Sequence, residues 1–151
     1  MTTRILCLFF LGLAYTTKAM AQQSCPYPSS VKYVEGAFQA SGVSGLWKSP
    51  SVRTLDFIDK FVGAIFVPSE GQERKNGYLE KCIYLTGRGR PIALTYGSLG
   101  EILNMSLVDT TYWRPAIDPF GLNIYTCDDR QPDNCSFTVD ESRRSSEPVT
   151  Q

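Results

Sequence analysis

The 151-residue chain contains no histidine. Serine and cysteine hydrolases of the triad type need an imidazole that accepts and returns a proton near neutral pH, so those mechanisms are excluded. The zinc sites of secreted hydrolases also use histidine ligands, and the cysteines lack a Cys-x-x-Cys pair. We therefore expect no metal and no cofactor.

Long apolar runs are also scarce, and the one that is present lies at the N-terminus. Residues 5–14 form an almost continuous apolar run that follows Arg4, and small residues stand at Ala19 and Ala21. A run of about ten residues is too short to cross a bilayer, which takes roughly 20. This layout is typical of a cleavable secretory signal peptide, and we expect cleavage between Ala21 and Gln22. No later stretch predicts a membrane span.

Positive charge is not in excess. The whole chain has 15 basic and 15 acidic residues, and loss of Arg4 and Lys18 with the signal peptide leaves 13 basic against 15 acidic. Nucleic-acid-binding domains normally carry a strong basic excess. We therefore expect no nucleic-acid partner.

Four cysteines remain after cleavage, because Cys7 leaves with the signal peptide. An even number of cysteines in an exported chain predicts disulfides, with three pairings open. The preferred pairing joins Cys127 to Cys135 across a short polar loop and Cys25 to Cys82 across a long one. Pairing of Cys82 with either late cysteine is the alternative.

Short β-type segments dominate the mature chain. Alternating or continuous apolar residues, bounded by Gly, Pro and polar turns, predict antiparallel strands. The segments concerned are 31–38, 44–49, 61–67, 78–85, 91–96, 124–127 and 135–139. We expect an all-β fold, a small antiparallel β-sandwich or flattened barrel, in which 61–67, 78–85 and 91–96 form a meander.

Helix is predicted at one place only. Ser98 and Glu101 have the spacing of a capping box, which predicts a short helix over about 99–104. Residues 54–59 fit either a helical turn or an extended lead into the next strand. After residue 139 the chain has almost no large apolar residue, which predicts a mobile tail. The expected organisation is therefore a signal peptide at 1–21, one disulfide-stabilised β domain at 22–139 and a tail at 140–151.

The candidate ligand-binding residues are two aromatics and two arginines. Tyr112 and Trp113 lie in a stretch without a strand pattern, where an exposed ring can stack on a sugar or anchor a protein contact. Arg88 and Arg90 lie on a glycine-rich turn that can approach an anion. Core packing is the competing interpretation for Trp113, and a solubilising turn is the competing interpretation for the arginines.

Two further chemistries need only oxygen ligands. Glycosidases can work with a pair of carboxylates and no histidine, although no motif here selects a pair. The acidic candidates are Glu35, Asp56, Asp59, Glu80, Glu101, Asp109 and Asp118. Acidic residues between Cys127 and Cys135 resemble calcium ligands in type, but their spacing does not follow the EF-hand order. A polar loop is the simpler interpretation there.

A set of single residues spans 25–139 and combines the cysteines with aromatic, proline and glycine positions. It comprises Cys25-Pro26-x-Pro28, Gly36-x-Phe38-x-Ala40, Trp47, the apolar strand 61–66, Gly77-Tyr78, Cys82-x-Tyr84, Trp113, Cys127 and Cys135-x-Phe137. The set resembles a family of small exported bacterial proteins catalogued as a domain of unknown function. The resemblance implies bacterial origin and export to the periplasm or beyond, with no established activity and no catalytic residue.

The leading functional hypothesis is an exported, non-enzymatic binding protein. Its expected ligand is a protein or a glycan, contacted by exposed aromatics and by the turn with Arg88 and Arg90. The alternatives are a glycoside hydrolase with paired carboxylates and a secreted enzyme inhibitor that presents the loop closed by Cys127 and Cys135.

Overall fold

The computed structural model describes residues 22–43, 45–53, 56–71, 73–97, 104–108 and 111–140. These residues form eleven β-strands and two short 3₁₀ turns, at Pro28–Ser30 and Pro132–Asn134. The strands are β1 Gln22–Gln23, β2 Lys32–Val34, β3 Ala37–Ser41, β4 Leu46–Lys48, β5 Ile58–Pro68, β6 Gly77–Thr86, β7 Pro91–Tyr96, β8 Asn104–Leu107, β9 Trp113–Ile117, β10 Asn123–Cys127 and β11 Phe137–Asp140.

Strand β6 is the centre of one antiparallel sheet. It pairs with β5 along one edge, and along the other edge it pairs with β8 at its start and with β7 in its second half. The sheet continues from β5 through β10 to β9, from β8 through β11 to β1, and from β7 through β4 and β3 to β2. All of these pairings are antiparallel, and the sheet curls into a half-barrel.

The long pair of β5 and β6 changes register along its length. Three register shifts occur along this ladder, between Ile58 and Lys60, Phe61 and Gly63, and Ile65 and Phe66. Bulges of this kind bend a strand and increase its twist. At the second shift, Gly63 has a φ of +155°, and a β-carbon there would lie 2.6 Å from the carbonyl oxygen of Cys127. Glycine therefore lets β10 approach β5 closely.

The core is one cluster of buried side chains, and strands β3 to β11 all contribute to it. Large aromatic side chains fill it, and Phe61, Phe66, Tyr84 and Phe137 are at most 1% exposed. The Tyr84 hydroxyl donates a hydrogen bond to the carbonyl oxygen of Pro26 at 2.7 Å, and burial raises the pKa of this phenol. The bond satisfies the one polar atom that the ring brings into the core.

Two disulfides cross-link this core. Cys25 is joined to Cys82, and Cys127 to Cys135, which confirms the preferred pairing. The first ties the N-terminal segment to β6 over 57 residues, and the second closes an eight-residue separation between β10 and β11. All four sulfurs belong to buried residues.

The all-β, antiparallel fold class and the meander of β5, β6 and β7 are confirmed, but the predicted strand at 31–38 is wrong. It is a two-strand hairpin, β2 and β3, that turns at Glu35 and Gly36 with φ values of +48° and +82°. The predicted helix over 99–104 lies outside the described residues, except that Asn104 begins strand β8. In the ambiguous segment 54–59, residues 54 and 55 are outside the description and Ile58 begins β5.

Candidate binding surface

Both tryptophans are structural. Trp113, the first residue of β9, is 1% exposed, and its indole N–H donates to the carbonyl oxygen of Ser136 at 3.1 Å. Its ring meets Phe66 edge-on, with 6.4 Å between the centroids. Trp47 is 2% exposed and packs against Tyr96. Trp113 therefore has no free ring face for a ligand, and we leave it out of the candidate surface.

Tyr112, in contrast, lies at the surface. It is 37% exposed and directly precedes β9. Adjacent residues of an extended chain point in opposite directions, so burial of Trp113 turns Tyr112 outward.

The two arginines lie on the turn between β6 and β7, and both are exposed. Three hydrogen bonds close this turn: Thr86 N–H to the Arg90 carbonyl, Gly89 N–H to the Thr86 carbonyl, and Arg90 N–H to the Thr86 hydroxyl oxygen. The turn is consequently rigid, and it presents Arg88 and Arg90 on a fixed backbone.

The sheet register separates Tyr112 from the two arginines. Cys127 pairs with Trp113 on one side and with Ala64 on the other, and Ala64 pairs with Cys82. Trp113 therefore lies at the same position along the strands as Cys82, and Cys82 is four residues before Thr86. That offset is about 14 Å along the strands, and three strand spacings add about 14 Å across the sheet. The structure does not gather these candidates into one site.

Three of the described acidic candidates make local contacts. The Thr86 hydroxyl, the backbone amides of Phe57 and Arg88 and the charge of Arg88 hold the pKa of Asp56 below its usual range. A carboxyl group that acts as the general acid of a glycosidase needs a raised pKa instead. Asp118 lies at the far end of the β5–β6 ladder, inside a hairpin turn. Glu80 is paired with Lys81 at 3.1 Å. Glu101 and Asp109 lie outside the described residues.

The loop closed by Cys127 and Cys135 is held against the body of the protein. Asp133 accepts hydrogen bonds from the Ser24 hydroxyl at 2.9 Å and from the Tyr27 hydroxyl at 2.6 Å, and this contact raises the pKa of Tyr27. Asp129 accepts from the Gln131 amide and from the Asn134 side chain. Within the described ranges, no group of three or more Cys, Asp or Glu residues could hold a metal ion.

Among the described residues, three largely exposed apolar side chains lie at the tip of the hairpin formed by β9 and β10. Ile117, Phe120 and Leu122 are 70%, 90% and 58% exposed. We call these three side chains the hairpin tip. Sequence reasoning missed it, although Asp118-Pro119 followed by Gly121 is a turn signature and the flanking residues are apolar.

The hairpin tip has a fixed backbone. The turn is closed by Gly121 N–H donating to the Asp118 carbonyl at 3.0 Å and by Asp118 N–H donating to the Leu122 carbonyl at 2.9 Å. One carboxylate oxygen of Asp118 also accepts from the amides of Phe120 at 2.9 Å and Leu122 at 2.8 Å. Gly121 supplies the positive φ, +85°, that this turn needs. The exposed Phe120 ring is thus carried by a rigid support.

Comparison with known families bears on the whole of this architecture. A family described as "Protein of unknown function (DUF3757)" matches residues 19–138, which is most of the chain. The chain belongs to the DUF3757 family. No curated protein and no solved structure matches it. For this DUF3757 member, two buried disulfides are consistent with an exported protein, since such bonds persist in oxidising compartments. Among the described residues, no helix has the length and apolarity to cross a bilayer.

Proposed function

We propose that this DUF3757 protein is an exported binding module that attaches to a protein partner by its hairpin tip. Residues 1–21 direct export and are then removed, and the mature domain acts in the periplasm or outside the cell. The observation that carries the proposal is Phe120, which is 90% exposed at the end of a rigid hairpin.

The exposed side chains of the hairpin tip do not stabilise the folded state. Phe120 contributes little to the core, because its side chain stays in water in the folded state. Transfer of such a side chain into an apolar pocket is worth about 1.5–3 kcal/mol, and aromatic residues are prominent among interface hot spots. A cluster of Ile117, Phe120 and Leu122 therefore fits a contact that forms only with a partner.

Rigidity of the turn favours binding. Ordering a flexible loop on association costs free energy, and a loop that is already ordered avoids that cost. The hydrogen bonds to Asp118 supply this order. Tyr112 is exposed at the other end of β9, and we propose it as a peripheral contact on the same β9–β10 hairpin.

Affinity capture with two matched variants tests the proposal. Wild-type mature protein, Phe120→Ser and Val43→Ser are immobilised, and envelope and culture-medium fractions of the source cells are passed over each. Val43 is the control because it is 80% exposed in the loop between β3 and β4. We expect at least one protein that wild type and Val43→Ser retain and Phe120→Ser releases. Identical retention by all three proteins contradicts the proposal, provided that the three have the same thermal midpoint.

A further inference from the structure

A second largely exposed phenylalanine lies at the opposite end of the β5–β6 ladder from the hairpin tip. Phe57, just before β5, is 64% exposed beside the turn that carries Arg88 and Arg90. Its carbonyl oxygen accepts a hydrogen bond from Gly87 N–H at 3.0 Å. Ile58 pairs with Thr86, which places Phe57 at the beginning of the turn.

The ring of Phe57 occupies a position that only glycine at residue 87 leaves open. A β-carbon on Gly87 would lie 2.6 Å from both Cε1 and Cζ of the ring. The turn backbone therefore supports one side of the phenyl group, and the remainder of the ring faces solvent. This support fixes an exposed aromatic surface instead of burying it.

Asp56 holds the ring and the turn together. Its Oδ1 accepts from the Phe57 amide at 2.9 Å, and the carboxylate also contacts the Thr86 hydroxyl and the Arg88 amide. The Asp56 carboxylate thus lies between the Phe57 backbone and the turn. The two arginines are carried by the same unit, at fixed backbone positions.

The charges around this ring are mixed, with a small positive balance. Asp56 faces Arg88, and the nearby exposed residues Asp59 and Lys60 offset each other. Arg90 adds the remaining positive charge. Within the described part of the chain, neither arginine is in an ion pair. Arg88 already interacts electrostatically with the Asp56 carboxylate, whereas Arg90 has no acidic neighbour of this kind among the described residues. A guanidinium group can bind a carboxylate with two parallel hydrogen bonds.

We propose that Phe57, Arg88 and Arg90 form a binding site for a carboxylate-bearing saccharide. The apolar C–H face of a pyranose ring stacks on Phe57, and the uronic carboxylate binds the arginines. A neutral sugar lacks the second contact, and a small inorganic anion lacks the first. This site is separate from the hairpin tip and extends the function beyond protein contact.

Isothermal titration calorimetry tests the site with tetragalacturonic acid as the probe. Wild-type mature protein is compared with Phe57→Ala, Phe57→Tyr, Arg88→Gln/Arg90→Gln and Arg130→Gln. Arg130 is the control, since it is an exposed arginine on the loop between Cys127 and Cys135. Neutral galactotetraose and sodium sulfate serve as comparison ligands, and thermal midpoints verify that each variant is folded.

We expect wild type, Phe57→Tyr and Arg130→Gln to bind the acidic tetrasaccharide alike. Phe57→Ala and the double arginine variant should each lose at least tenfold in affinity, and galactotetraose should not bind. Absence of binding by wild type overturns the proposal. So does undiminished binding by Phe57→Ala, an equal loss in Arg130→Gln, or competition by sulfate at equal concentration, because each shows that the ring and turn do not select the ligand.

Discussion

At the scale of single residues, burial distinguishes the side chains that stabilise the fold from those that are exposed and available to a partner. Trp113 and Phe120 belong to the same hairpin and are both large and apolar. One is 1% exposed and the other 90%. Their chemistry is similar, so their different positions decide what each does.

Replacement of Trp113 should destabilise the domain strongly. Trp113→Ala leaves a cavity against Phe66 and removes the indole donor from the Ser136 carbonyl, and we expect a loss of about 3–5 kcal/mol in the free energy of unfolding. Phe120→Ala, the matched control, should change it by less than about 0.5 kcal/mol. Urea unfolding followed by fluorescence and circular dichroism measures both. A small effect at Trp113 would show that its ring is not a core element.

Asp56 should make the stability depend on pH at the acidic end. Its pKa is lowered in the folded protein, so its contribution is fully present above the unfolded value of 3.8 and is lost as the pH falls through the folded value. We expect the difference in thermal midpoint between wild type and Asp56→Asn to be constant near neutral pH and to shrink below about pH 4. A difference that grows on acidification would contradict the contacts assigned to Asp56.

At the scale of elements, strand β9 is an open edge of the sheet, paired only with β10 among the described strands. The Asp118 amide bonds to Leu122, so the even-numbered residues of β9 face β10 and Pro115 faces outward. Proline has no amide hydrogen, and it thus removes a donor from the free edge. Such a proline discourages unwanted strand addition.

Restoring that donor should promote self-association. Pro115→Val adds an outward N–H and a β-branched side chain to the edge, and we expect larger species at increasing protein concentration than wild type forms. Size-exclusion chromatography with light scattering measures this effect. Ala116→Val, whose backbone faces β10, is the control and should behave as wild type. Equal behaviour of wild type and Pro115→Val would mean that the edge is protected in some other way.

The element scale also shows how far the sequence predicts this fold. Strands β5, β6 and β7 were predictable, because long apolar runs end at clear turns. The hairpin of β2 and β3 was not, since Glu35 adopts a positive φ that glutamate rarely takes and only Gly36 marks the turn. Strand β8 was not predicted, and the helix expected over about 99–104 overlaps it only at Asn104. In fact Met105 and Leu107 are buried alternately on a strand.

The candidate sites were predictable only in part. The turn with Arg88 and Arg90 follows from its glycines. Phe57, however, is distant in sequence, and its place beside Gly87 depends on the β5–β6 pairing. The hairpin tip was missed because β9 has no alternating pattern. Its residues Arg114 and Pro115 are both exposed at an edge that packs on one side only.

At the scale of the whole molecule, the two disulfides join the termini of the domain to a half-barrel that is not closed on itself. The Ser24 and Tyr27 hydroxyls bound to Asp133 connect the N-terminal segment to the loop closed by the second disulfide. The first disulfide spans 57 residues and the second eight, so the first restricts the unfolded chain more.

Removal of the disulfides should therefore have unequal effects. From the entropy of loop closure, Cys25→Ala/Cys82→Ala should lower the free energy of unfolding by about 4 kcal/mol and Cys127→Ala/Cys135→Ala by about 2.5 kcal/mol. Urea unfolding of the two double variants under oxidising conditions gives the comparison. A larger loss for the short loop would show that local packing, and not chain entropy, determines what each bridge contributes.

The central claim is that the hairpin tip binds a protein partner. A photoreactive phenylalanine analogue placed at residue 120, and in a matched protein at residue 43, tests it most directly in living cells. After irradiation, we predict one discrete protein cross-linked through position 120 and no such product through position 43. Absence of any cross-link at 120, or the same products from both positions, would contradict the claim.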